Sequence, residues 1–157
     1  GFNYGMRAKR FVKQCYDAGI PMDIGKANLM YQAYWNLFPG IRNLTKSLEV
    51  ICKKQGVIVN PFGYRLTPEP HKSYNAFIQS SASGVVDVMV MKFFEQLPEA
   101  EFVVLVHDEF IYQIEDKHLK KAREVTDRCI ESLNNDLGWD VPMRIDFTVA
   151  RNFAEIK

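Results

Sequence analysis

The amino-acid sequence predicts an α+β fold, and two features of its hydrophobic pattern support this prediction. Before Gly56, apolar side chains recur at helical spacing in three successive segments. After Gly56, short apolar runs bounded by turn residues alternate with two further helical segments. Helices that come first, followed by mixed strands and helices, are typical of α+β proteins.

Three helices are predicted in the first third of the chain. The first covers Met6–Asp17 and is basic, and the second begins after Asp23, whose side chain can cap it. Phe38-Pro39-Gly40 ends the second helix and turns the chain. The third covers about Ile41–Gln55, and Gly56 is its expected stop.

The remaining elements alternate between strands and helices. They are predicted as a short hairpin at 57–66, a long helix at 71–96, strands at 102–106 and 110–114, a helix at 117–135 and a final strand at 142–150. The long helix contains the small-residue stretch Ser80–Gly84, which lets another helix or a ligand approach its backbone closely.

Composition limits the class of protein. No apolar run reaches the roughly 18 residues of a membrane span, and the N-terminus lacks the pattern of a signal peptide. The three scattered cysteines predict free thiols, not a disulfide framework or a zinc site. We therefore expect a soluble intracellular protein with no membrane partner.

The net charge of +1 conceals an asymmetry between the two parts of the chain. Residues 1–92 contain 12 Lys and Arg against 5 Asp and Glu, whereas residues 93–157 contain 8 against 14. A basic part favours a polyanion such as nucleic acid. The acidic part is consistent with a divalent metal site or with an ordinary solvated helix surface, and charge alone favours the second interpretation.

The most informative cluster is His107-Asp108-Glu109, between two apolar strands. Carboxylates on such a rigid support are suited to Mg²⁺, which prefers oxygen ligands. The alternative is a hairpin turn that is merely acidic, since Asp is common in turns. A metal site also requires a second carboxylate from another strand, and Asp146 is a weak candidate.

Two further patterns are compatible with nucleic-acid binding. Asn75 and Gln79 are four residues apart on one helix face, and their amides can donate to acceptors in the minor groove. The alternative is an exposed polar helix face, and the spacing alone favours this alternative. Tyr4-Gly5 and Gly63-Tyr64-Arg65 place an aromatic ring beside glycine, which permits base stacking as well as core packing.

These clusters occur in an order that resembles family A DNA polymerases, the bacterial DNA polymerase I type. Val106-His107-Asp108-Glu109 matches the palm motif C of that family. The other similar segments are the end of the fingers helix at Tyr4-Gly5-Met6, the aromatic-Pro-Gly turn at Phe38-Pro39-Gly40-Ile41, the Gly-Arg-Arg hairpin at Gly63-Tyr64-Arg65, the Asn-x-x-x-Gln helix at 75–79 and the near-terminal Arg151-Asn152-Phe153. The resemblance spans nearly the whole chain.

The resemblance implies a helical fingers portion, residues 1–66, packed on an antiparallel palm sheet that bears the motif C hairpin, within residues 67–157. It implies that Asp108 binds the catalytic Mg²⁺ ions, with Glu109 beside them and His107 near the primer terminus, so that all three belong to the catalytic site. The DNA contacts that it implies come from Tyr4, Arg65, Asn75, Gln79 and His107. The implied substrates are primer-template DNA and dNTP, and a compact viral or phage-type polymerase is expected.

Two departures from the family pattern are informative. The Asp-Tyr-Ser motif with the other metal aspartate is absent, and the triphosphate-gripping residues of the fingers helix would precede Gly1. Because two-metal transfer needs carboxylates around ions about 3.5–4 Å apart, we expect no polymerisation by this chain alone. A partner chain or N-terminal polymerase fragment would supply the missing residues, as in a split or fragmented polymerase. The alternative is a non-catalytic nucleic-acid-binding or interaction module derived from the same fold.

Overall fold

The computed structural model describes Phe2 and residues 5–155, and its helices and antiparallel strand pairs confirm the predicted α+β class. The chain divides into two compact units, a first unit Gly1–Ser81 and a second unit Ala82–Lys157. The predicted division into a fingers part, 1–66, and a palm part, 67–157, is a functional one and stays a prediction.

The elements follow the predicted order with small shifts at their ends. They are α1 (Ala8–Asp17), α2 (Ile24–Leu37), α3 (Pro39–Gln55), β1 (Ile58–Val59), β2 (Arg65–Leu66), α4 (Ser73–Gln96), β3 (Glu101–Val106), β4 (Glu109–Gln113) and α5 (Leu119–Leu137). Short 3₁₀ turns lie at Pro70–Lys72, Asp116–His118 and Phe153–Glu155.

Both predicted helix boundaries of the first unit have the expected cause. The Asp23 carboxylate accepts a hydrogen bond from the Lys26 backbone N–H at 2.9 Å, which caps α2. Gly56 ends α3 with a φ of 70°, a left-handed conformation that glycine adopts without steric cost.

The core of the first unit is small. Leu48 and Cys52 of α3 pack with Ile58 of β1 and Tyr74 of α4. The hairpin of β1 and β2 is held by the buried Asn60, whose Oδ1 accepts hydrogen bonds from two backbone N–H groups of its turn, each at 2.9 Å. One helix, α4, contributes residues to both units.

The second unit has a larger core, formed between α5 and the end of α4. Phe93 of α4 and Leu97, the residue that follows α4, are fully buried, as are Val125 and Cys129 of α5. The antiparallel strands β3 and β4 form a hairpin in which Val106 pairs with Glu109. The Tyr112 ring of β4 lies 4.6 Å from the Phe93 ring, so the hairpin is anchored in this core.

The prediction of a final strand at 142–150 is wrong, since the structure assigns no strand there. The alternation that suggested it is real: Met143, Ile145 and Phe147 pack against the core of the second unit, while the residues between them are exposed. A strand also requires a backbone partner, and no described strand pairs with this segment. The Asn134 side chain instead holds it through hydrogen bonds of 2.8 and 2.9 Å to the Met143 backbone.

Two compositional expectations can be compared with the structure. All three cysteines are free and buried, as predicted. One helical stretch, Pro70–Gln96, is long and apolar enough, by length and composition alone, to cross a membrane. Because this stretch supplies Tyr74, Met89 and Phe93 to the two cores, packing accounts for part of its apolar character.

Candidate metal-binding and nucleic-acid-binding site

The turn between β3 and β4 consists of His107 and Asp108, followed by Glu109 as the first residue of β4. All three side chains are exposed. His107 has a φ of 56°, and the left-handed region costs a non-glycine residue roughly 1–2 kcal/mol. Such strain is often retained at functional sites because it fixes the direction of neighbouring side chains. The predicted position of the carboxylates, on a tight turn between two strands, is confirmed.

The strand that follows the turn packs on the core of the second unit. Phe110 and Tyr112 alternate toward the core, where their rings lie 5.4 and 4.6 Å from the Phe93 ring. Burial raises the pKa of the Tyr112 phenol to about 12, while its hydrogen bond with Thr126 acts in the opposite direction and is the smaller effect. Asp108 is therefore exposed to solvent, on a hairpin whose second strand packs on the apolar core.

A groove of about 900 Å³ runs along β4 and is bounded on its other side by the extended segment 144–151. Asp108, Glu109 and Asp146 all line it. The groove also contains four other carboxylates, against two arginines: Glu99, Glu101, Glu115 and Asp116, with Arg144 and Arg151. The acidic lining of the groove favours the binding of cations. Among the described strands, β4 pairs with β3 alone.

The carboxylates do not by themselves form a metal centre. Among the described residues, no group of three or more His, Cys, Asp or Glu side chains is arranged to hold a metal ion. Asp108 and Glu109 offer the oxygen ligands that Mg²⁺ prefers, but Mg²⁺ requires near-octahedral coordination. Asp146, the weak candidate for the opposing carboxylate, lines the same groove without completing such a group.

Comparison with known proteins now decides the family. The model of DNA polymerase family A matches residues 1–155. The chain belongs to DNA polymerase family A. It is 28% identical over 175 residues to DNA polymerase I of Rhizobium leguminosarum, with 99% of this chain and 17% of the relative covered. DNA polymerase theta of Caenorhabditis elegans is 25% identical over 170 residues, with 100% of this chain and 10% of the relative covered.

Relatives of this chain also include a phage protein. The DNA polymerase of Mycobacterium phage L5 is 26% identical over 122 residues, covering 76% of this chain and 20% of the phage protein. The chain thus spans between a tenth and a fifth of the length of these three curated relatives.

A solved structure shows the same fold. The POL domain of Pol1 from M. smegmatis, in complex with DNA primer-template and dNTP, superposes with a TM-score of 0.75 at 19% identity. The match covers 92% of this chain and 27% of that one. The predicted fold and the resemblance to family A polymerases are therefore both confirmed.

The family A residues predicted to contact DNA lie partly in the first unit. Asn75 and Gln79 occupy the first turns of α4, and Gln79 is exposed. The Asn75 Oδ1 is buried without a hydrogen-bond partner among the described residues. An unsatisfied buried carbonyl costs about 1–3 kcal/mol, so a donor from outside these residues would stabilise it. The hairpin with His107, Asp108 and Glu109 belongs to the second unit.

The other two predicted DNA contacts differ in what the structure says of them. Arg65 lies on β2, is exposed and has no ion pair among the described residues. Tyr4 lies outside the described residues. All of these DNA-binding roles stay predictions.

Sequence reasoning did not identify Asn60 or the pair of Asp116 and Arg151. Asn60 shapes the hairpin that presents Arg65, and the only signal was the Asn-Pro turn dipeptide. Arg151 forms two hydrogen bonds of 2.9 Å with the Asp116 carboxylate and thereby holds the pKa of Asp116 below its usual value. This pair spans 35 residues, and no local spacing reveals it.

Proposed function

We propose that this chain supplies one side of the metal site of a template-directed DNA polymerase, with Asp108 as its Mg²⁺ ligand. One observation carries the proposal: the motif C carboxylates stand on a strained turn over a buried ring cluster and open into an acidic groove. Bound Mg²⁺ would stabilise negative charge on the transferred phosphoryl group.

The chain's own residues take separate roles in this proposal. Asp108 binds Mg²⁺, Glu109 lies beside it, and His107 directs its exposed ring toward the primer terminus. Asn75 and Gln79 contact the minor groove through their amides, since the acceptors of that groove are common to all base pairs. Arg65 pairs with phosphate, and Tyr4 stacks near the newly formed base pair.

The opposing carboxylate comes from a strand outside residues 1–157, in a partner chain or N-terminal polymerase fragment. We infer that this strand lies in the groove between β4 and residues 144–151. Supporting observations are the single described partner of β4 and the strand-like alternation of Met143, Ile145 and Phe147 without pairing. The same partner chain or fragment supplies the fingers-helix residues that bind the dNTP triphosphate. The reaction takes place inside the cell, or in the host cytoplasm if the polymerase is viral.

Reconstitution tests the proposal. This chain is mixed with a family A fragment that carries the Asp-Tyr-Ser motif and the fingers helix, and primer extension is measured with Mg²⁺. We expect no extension by either part alone, extension by the mixture, and loss of extension when EDTA removes Mg²⁺. Extension by this chain alone, or EDTA-resistant extension by the mixture, would contradict the proposal.

A second candidate function is a non-catalytic nucleic-acid-binding module, and the absence of a complete metal group among the described residues favours it. The same mixture separates the two functions. If no fragment restores synthesis while the chain still binds primer-template with a steep salt dependence, the binding module is the correct description.

A further inference from the structure

A cleft of about 430 Å³ lies in the first unit, between α2 and α3. It is lined by two aromatic rings, two side-chain amides and two cations: Tyr31, Trp35, Gln32, Asn36, Arg42 and Lys46. The Thr45 hydroxyl also lines the cleft, but it already donates to the Ile41 carbonyl at 2.8 Å.

The cleft is positively charged. Residues 24–48 contain three cations, Lys26, Arg42 and Lys46, and no Asp or Glu. Arg42 and Lys46 are exposed, and neither forms an ion pair with a described carboxylate. Two cations line the cleft and no described carboxylate does, so its charge favours an anion.

The cleft also offers a hydrogen-bond donor without a partner. Trp35 lines the cleft, and its Nε1–H is buried with no acceptor among the described residues. Leaving such a donor unsatisfied is unfavourable, so an indole N–H in a core normally has a partner. The ring is held in place by Tyr31 and Tyr34, whose centroids lie 6.0 and 5.3 Å away.

We propose that this cleft binds a nucleotide unit of single-stranded DNA. The phosphodiester lies against Arg42 and Lys46, a base packs against the aromatic wall, and one of its acceptors receives the Trp35 Nε1–H. Single-strand sites combine a cationic track with aromatic surfaces in this way. The binding does not depend on Asp108, so the inference goes beyond the proposed metal site.

The experiment measures binding of a fluorescent 12-nucleotide oligothymidylate to the full chain by anisotropy at several salt concentrations. The test variant is Arg42→Ala with Lys46→Ala. The matched control is Lys53→Ala with Lys54→Ala, which removes the same charge from the last turn of the same helix, outside the cleft. All four side chains are exposed, so both variants are expected to retain their helical circular dichroism.

The test variant should bind roughly ten-fold more weakly, and its salt slope should fall by about 1.4, the value for two lost phosphate contacts on a single strand. The control should stay within about two-fold of wild type. Equal losses in the two variants would overturn the proposal, because only overall charge would then matter.

Trp35 provides a second readout that charge alone would not change. We expect the oligonucleotide to quench tryptophan fluorescence in wild type and in Trp139→Phe, but not in Trp35→Phe. Quenching that persists in Trp35→Phe would overturn the proposal. So would full displacement of the oligonucleotide by an equal phosphate concentration of inorganic phosphate, since the cleft would then be a simple anion site.

This assay and the reconstitution assay fail independently. The cleft variant should bind less single strand whether or not the mixture synthesises DNA. A failed reconstitution therefore does not contradict single-strand binding by the cleft. A cleft that binds no single strand does not contradict metal binding by Asp108.

Discussion

At the residue scale, His107 combines an unfavourable backbone conformation with a position beside the proposed metal ligand. Replacing His107 by glycine removes the left-handed penalty of roughly 1–2 kcal/mol but adds about 0.5–1 kcal/mol of chain entropy. We therefore expect His107→Gly to raise the free energy of unfolding by up to about 1 kcal/mol, measured by urea denaturation, while lowering activity in the reconstituted polymerase.

A matched control is His118→Gly, since His118 has a φ of −99° and gains nothing from glycine there. Because His118 is the N-cap of α5, where glycine is well tolerated, this variant should change the free energy of unfolding by only a few tenths of a kcal/mol. A His107→Gly protein that is no more stable than His118→Gly would show that the His107 backbone is not strained.

Tyr112 gives a pH-dependent prediction. Burial raises the pKa of its phenol from 10.0 to about 12, so the folded state holds this proton more tightly than the unfolded state. Its contribution to stability is complete below pH 10 and is lost as the pH rises toward 12. The difference in absorbance at about 295 nm between wild type and Tyr112→Phe should therefore appear only near pH 12. A difference already complete at pH 10.5 would contradict this account.

At the element scale, the end of α3 depends on the left-handed glycine at its C-cap. Gly56 has a φ of 70°, and the space that a Cβ atom would occupy there is open to a distance of 4 Å. An added methyl group therefore causes no clash, and only the cost of the left-handed backbone conformation remains. We expect Gly56→Ala to cost about 1 kcal/mol, measured by thermal unfolding. Gly40, in the first turn of α3, also faces open space but has no positive φ, and Gly40→Ala should be neutral or stabilising.

The attachment of the final segment gives a second prediction at this scale. Because Arg151 lowers the pKa of Asp116, their pairing is present above the ordinary Asp pKa and is lost as the pH falls through the lowered value. Arg151→Ala should therefore speed amide exchange in residues 148–152 at pH 7. Arg144→Ala should not, since Arg144 forms no ion pair with a described residue. The effect of Arg151→Ala should shrink as the pH falls through the lowered pKa of Asp116.

The elements show what sequence could and could not predict. Helical periodicity with Asp23 and Gly56 as caps located α2 and α3, and continuous apolar runs located β3 and β4, because these signals are local. The alternation in 142–150 predicted burial correctly but not pairing, which depends on a neighbour strand. The Trp35 cleft was not predicted, since it arises where two helices meet.

At the scale of the whole molecule, the charge asymmetry read from the sequence separates into two local surfaces. Seven acidic residues of the second unit, Asp108 among them, line the groove, and the acid-free stretch 24–48 contributes the cations of the cleft of the first unit. Among the described residues neither surface is complete: the groove has carboxylates without a full metal group, and the cleft has a donor without an acceptor. Both proposed roles therefore depend on groups that the described residues do not supply.

The central claim is that Asp108 binds the catalytic metal, and the most direct measurement is the single-turnover rate of nucleotide addition by the reconstituted polymerase. Asp108→Asn keeps the size of the side chain and removes its charge, while Asp140→Asn makes the same change at an exposed site outside the groove. We predict that Asp108→Asn slows the rate about 10³-fold or more, near 4 kcal/mol, without weakening primer-template binding, and that Asp140→Asn has no effect. A rate for Asp108→Asn within about three-fold of wild type would contradict the claim.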